Sequence, residues 1–158
     1  MATIPLKPAR YVEGGMIRSF PEAASQSFKR GEFVYLVSGK VTVCASDGTT
    51  ILGMAMHAAS TTVDTDVQVA VAYPDTIFCG NVYHGTPGSA ITAITTCQAG
   101  SGPYALYVAS NKHHVDISDT SNDAIIPVSI STEDTVGDTY GHIYFKFMPG
   151  VLQGSIVA

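Results

Sequence analysis

The chain has 158 residues, of which 46% are hydrophobic and only 13% charged, with a formal net charge of −5. That length predicts one domain, or two small β lobes sharing a core. Eight Lys and Arg residues leave no basic footprint for phosphate neutralisation, so neither nucleic acid nor a membrane surface is expected as a partner.

Charge is sparse, about half the share of an ordinary globular domain at ~25%, so the surface must be neutral and rich in hydroxyls. Such a surface is cheap to desolvate against another protein. The blander reading is a protein that is merely lightly charged. The start, MATIPLKPAR, lacks the apolar stretch of a secretory signal. No run approaches the ~20 apolar residues of a membrane span. Synthesis in a cytoplasm is the expectation. Cys44, Cys79 and Cys97 make an odd count without CxxC spacing, so buried free thiols are expected.

Residues 1–27 read as an N-terminal arm. Pro5, Pro8, Gly14 and Gly15 interrupt regular structure, and Leu6, Tyr11, Met16 and Ile17 are apolar residues available to dock on a neighbour. Residues 21–28 (PEAASQSF) are the best helix candidate, with Pro at the first turn.

Residues 32–37 (EFVYLV) and 40–45 (KVTVCA) predict a hairpin around Ser38-Gly39. Val41, Val43 and Ala45 point to one face, Thr42 and Cys44 to the other. Asp47-Gly48 turns into residues 50–56, completing a predicted three-stranded meander. Gly53 inside that third strand predicts a bulge or a close backbone approach. Residues 67–73 (VQVAVAY) and 77–82 (IFCGNV) are further strands, and 90–95 a weak one.

Strands are also predicted at 104–109, 113–117, 124–130 and 141–148. Pro127 confines its strand to an edge or breaks it. In the last strand Ile143, Phe145 and Phe147 share a face. The tail VLQGSIVA is apolar, so Val151, Leu152 and Ile156 need something to cover them. For these and for the arm residues, the alternative to a partner is packing within the chain. The whole reads as all-β, a small barrel or sandwich, with an arm (1–27), a first lobe (28–85) and a second lobe with tail (86–158).

Chemistry is thinly supported. There is no GxSxG, HExxH or phosphate loop. His114 and Asp116 share a strand face with His113 opposite, and a metal would need His57, His84 or His142 to join them. A polar strand surface is the plainer reading. Glu133, Asp134 and Asp138 lack EF-hand spacing. Trp, the usual sugar-stacking residue, is absent. Neither a catalytic residue nor a cofactor is expected, and a small hydrolase using His114 and Asp116 is the weakest alternative.

Residues 28–56, FKRGEFVYLVSGKVTVCASDGTTILGMAM, carry Gly31, Glu32 and Phe33 at a strand start, then SGKV at 38–41, Asp47-Gly48, and ILG at 51–53. This run resembles the decoration (cement) proteins of tailed bacteriophage capsids. Residues 112–120 (KHHVDISDT) and 134–147 are similar to the C-terminal half of such virion proteins, while the stretch at 60–89 departs from the pattern.

The resemblance implies a β-tulip-like barrel and a homotrimer. It implies a structural role on the capsid exterior, bracing the major capsid protein, with no catalytic residues or cofactor. A receptor- or carbohydrate-binding virion module, such as a head fibre, is the alternative, motivated by eight Tyr residues in an all-β chain.

Overall fold

The computed structural model describes residues 7–90, 97–109, 111–131 and 141–153. Eleven strands are defined there: β1 (Arg10–Glu13), β2 (Met16–Pro21), β3 (Phe33–Val37), β4 (Lys40–Val43), β5 (Gly53–Ala55), β6 (Asp66–Val71), β7 (Ile77–Tyr83), β8 (Ala105–Ala109), β9 (Lys112–Asp116), β10 (Ile125–Ile130) and β11 (His142–Phe147). The protein is all-β. One sheet runs β10-β11-β7-β9-β8, with β1 also paired to β7, and the other runs β2-β6-β5-β3-β4. Every named pairing is antiparallel except β7 with β9.

The second sheet is the middle of the molecule, and its strand period explains why. Phe33, Met54 and Ala70 face the first sheet and join its Phe78, Val115, Ile143, Phe145 and Phe147 in the larger core. Their strand neighbours Val34, Ala55, Val69 and Val71 face the other way, into a smaller core with Phe28, Val41, Leu52 and Val67. Alternation therefore feeds two cores instead of one core and solvent. The smaller core is enclosed because the sheet curls. Past the end of β2, Glu22 bridges to Val41 on β4, and the Ala23 amide donates to the Val41 carbonyl at 3.1 Å.

Several expectations hold. Ser38 (φ 50°) and Gly39 (φ 76°) make the hairpin turn between β3 and β4. Val41 and Val43 face the smaller core while Cys44 enters the larger one. Pro127 lies on an edge strand, with a register shift between Pro127 and Ser129. Ile143, Phe145 and Phe147 are all buried together. Cys44, Cys79 and Cys97 are buried free thiols.

Two others need correction. The segment proposed as a helix at 21–28 is not one: Pro21 ends β2, and the buried Glu22 carboxylate accepts from the Ser60 amide at 2.8 Å and from the Ser60 hydroxyl at 3.1 Å. Closing the curled sheet takes precedence over a short helix with little propensity of its own. The meander is not sequential either. β5 passes beyond β4 to pair with β3 and β6, which buries Gly53 and Met54 between two strands.

Strands from both sides of position 85 share the first sheet. β7, from the first proposed lobe, sits in the sheet built mainly from later strands, and the larger core runs from Ala9 to Leu152. The weak strand at 90–95 lies almost wholly outside the described residues.

Gly53 confirms the close approach. A Cβ there would stand 2.0 Å from the Ala70 carbonyl oxygen. Gly53→Ala should cost about 3 kcal/mol, from a forced backbone shift between two packed strands. Urea unfolding would register this as a lower midpoint at unchanged slope.

Candidate partner-binding surface

The residues proposed for partner contact fall into three groups. Leu6 and Ile156 lie outside the described residues. Val151 and Leu152 are enclosed by the chain itself, at 8% and 0% exposure. Met16 and Ile17 stand on β2 at 51% and 50% exposure. Tyr11 falls between these groups: it is half-buried on β1, its ring 6.1 Å from Phe78, and its hydroxyl donates to the Gly14 carbonyl.

Local backbone pairing explains the burial of the tail. After a single 3-10 turn at Pro149–Val151, Leu152 bridges in parallel to Ile51. The Ile51 amide donates to the Val151 carbonyl and the Gln153 amide to the Ile51 carbonyl, both at 2.8 Å. Gln153 then clamps the backbone of β3: its Oε1 accepts from the Leu36 amide at 2.7 Å and its Nε2 donates to the Leu36 carbonyl at 3.1 Å. An apolar tail needs cover, and here its own barrel supplies it. Gln153 was not legible as a site residue, since a lone Gln in a tail carries no pattern.

The described part of the arm is divided between the sheets. β1 pairs with β7, and β2 pairs with β6. Gly14 and Gly15, at φ 78° and 72°, carry the chain across. A Cβ on Gly15 would meet the Val71 carbonyl oxygen at 2.4 Å and Thr76 Oγ1 at 2.8 Å, so only glycine lets the crossing lie this close to the β6–β7 turn.

Among the described residues, the large apolar side chains left exposed are Val12, Met16, Ile17, Val37 and Val63. Val12 and the pair Met16 and Ile17 flank the glycine crossing. Beside Val12, a shallow groove of about 350 Å³ runs over the first sheet between Glu13, Ile77, Val128 and Tyr144. Val37 and Val63 lie at the barrel end where Lys40 and Asp64 pair at 2.8 Å. Sequence reasoning missed Val12, Val37 and Val63, because each occupies an ordinary strand or turn position.

His113 and His114 face opposite sides, as expected, yet both are buried. His114 donates through Nδ1 to its own neighbour, the Lys112 carbonyl, at 3.1 Å, and burial holds its pKa below the ordinary imidazole value. The acidic group that does converge is Asp47, Asp116 and Asp119, without His57, His84 or His142.

Its oxygens are largely used by their own loop. Asp116 accepts from the Ser118 amide and hydroxyl, and Asp119 accepts from Ser121 and from the Asn122 side chain. The Asn122 and Ser121 hydrogen bonds hold the Asp119 carboxyl below the usual range, while desolvation and then Asp119 push Asp47 up. Glu133, Asp134 and Asp138 lie outside the described residues.

Comparison with known proteins adds no identification: no protein-family model and no curated protein matches the chain.

The two halves of the proposed contact set should separate in a stability assay. Met16→Ser and Ile17→Ser should change stability by about 0.5 kcal/mol or less, as for exposed positions. Leu152→Ala should cost about 3 kcal/mol by emptying core volume. Parallel urea titrations of the three variants check this.

Proposed function

We propose that this chain is a structural virion protein that binds the outer surface of a phage capsid and braces the major capsid protein, acting as a homotrimer. The observation that carries the reading is the exposure of Val12 on β1 and of Met16 and Ile17 on β2, either side of the glycine crossing, on a protein with few charges to desolvate. Strands present such residues on a stiff scaffold, so little ordering entropy is lost on docking. The residues that resemble decoration proteins also form one unit: the run 28–56 contains β3, β4 and β5, which lie side by side in the curled sheet. Symmetric association would multiply weak contacts into firm attachment without chemistry.

The test is co-sedimentation of the purified protein with expanded heads assembled from the major capsid protein of the same virus. The protein should pellet with the heads, and light scattering should give a mass three times 16.6 kDa. Met16→Asp combined with Ile17→Asp should keep the far-UV spectrum and lose at least tenfold in head binding. A folded protein that never pellets with heads overturns the reading.

One observation favours a receptor- or carbohydrate-binding module instead. Tyr83 and Tyr107 stack at 3.6 Å with an interplanar angle of 13°, and Asp116 lies opposite Tyr83 in the register. Aromatic faces beside carboxylates suit a sugar ring. Glycan-array binding that disappears in Tyr107→Ala would move the weight to that reading.

A further inference from the structure

The two sheets meet across an apolar core, and one polar side chain spans it. His113 belongs to β9 of the first sheet and is 1% exposed. Its Nδ1 accepts from the Phe33 amide at 3.3 Å, and its Nε2 lies 3.1 Å from the Cys44 carbonyl oxygen. Phe33 and Cys44 both belong to the curled sheet's side of the core. An amide can only donate and a carbonyl can only accept, so the ring is neutral, with its hydrogen on Nε2. The Phe33 ring packs edge-on against the imidazole at 5.4 Å between centroids.

A second proton has nowhere to go without breaking this bridge. Added at Nδ1, it would point at the Phe33 N–H, donor against donor. The acceptor within reach is Glu32, whose Oε1 lies 4.0 Å from Nδ1 and whose Oε2 already accepts from the Lys29 amide. The other charged and titratable groups around the pair are Lys29 and Lys112 near Glu32, the Cys44 thiol, and His114 next along the strand.

We propose that His113 is an acid-labile latch between the two sheets: neutral, it ties Phe33 and Cys44 to β9, and protonated at Nδ1 it releases Phe33 and turns toward Glu32. Burial, partly offset by the Cys44 hydrogen bond, lowers the His113 pKa to about 4. The ordinary value is about 6.5. Between those two values the unfolded chain binds more protons than the folded one, so folding is favoured above pH ~6.5 and drains away as pH falls toward 4. Glu32 acts in the opposite sense, because burial raises its carboxyl and the folded state keeps that proton longer.

The experiment is urea unfolding of the full chain at pH 6.5 and pH 5, beside His113→Gln. A Gln amide can accept from Phe33 and donate to Cys44 without titrating. His114, also held low by burial, stays in the variant, so the latch is read as the difference between the two proteins. The folding constant of the wild type should drop roughly tenfold more than that of the variant over this interval. Drops equal within twofold overturn the latch. Should His113→Gln fail to fold, imidazole NMR of the wild type decides: an Nε2–H tautomer titrating well below pH 6 supports the latch, and a midpoint at or above pH ~6.5 overturns it.

Discussion

Phe33 is buried on the line where the two sheets meet, and much of the structure is arranged around it. Its ring stands edge-on to Phe78 at 5.0 Å, to Phe147 at 4.9 Å and to Phe145 at 5.9 Å. Its amide is held by His113, and its carbonyl accepts from the Cys44 amide at 2.9 Å. The sheets are thus joined by apolar contact that is tolerant of angle and by hydrogen bonds that are not. The aromatic cluster supplies apolar contact there, and His113 adds two directed hydrogen bonds from β9. That division is why a single polar residue in an apolar interface can matter beyond its own hydrogen bonds.

The two cores share one sheet, so a disturbance in either reaches the other through a strand only one residue thick. Gly53 shows how tight that layer is, since β5 and β6 approach too closely for any side chain at that point. The same layer receives the end of the described chain. The segment at 149–153 covers β3 and β5, and Gln153 completes the backbone hydrogen bonding of Leu36. At the other end, β1 and β2 fasten one sheet to the other through the glycine crossing. Both ends therefore stitch the sandwich. On β1 and β2 they leave Val12, Met16 and Ile17 exposed.

The capsid-bracing proposal draws on Val12, Met16 and Ile17, apolar side chains left exposed on two strands that belong to different sheets. Asp116 and Asp119 hold their own loop together, and His113 holds the sheets. Buried polar groups generally need partners, and these found theirs within the chain, whereas Glu22 Oε2 and His114 Nε2 are buried without a hydrogen-bond partner among the described residues.

The sequence sufficed for the all-β class, the hairpin at Ser38-Gly39, the edge position of Pro127 and the inward face of Ile143, Phe145 and Phe147. These rest on period and turn chemistry, which are local and depend on neighbours a few residues away. It also showed that Val151 and Leu152 need cover, without showing what covers them. The folded arrangement was needed to establish that β5 pairs beyond β4, that Glu22 closes a curled sheet instead of starting a helix, and that Gln153 clamps Leu36. It alone decided that His113 faces a partner 80 positions away in sequence. Each of those depends on which strands become neighbours, a choice made by burying two cores at once, and a period of two marks the faces of a strand but not what each face will meet.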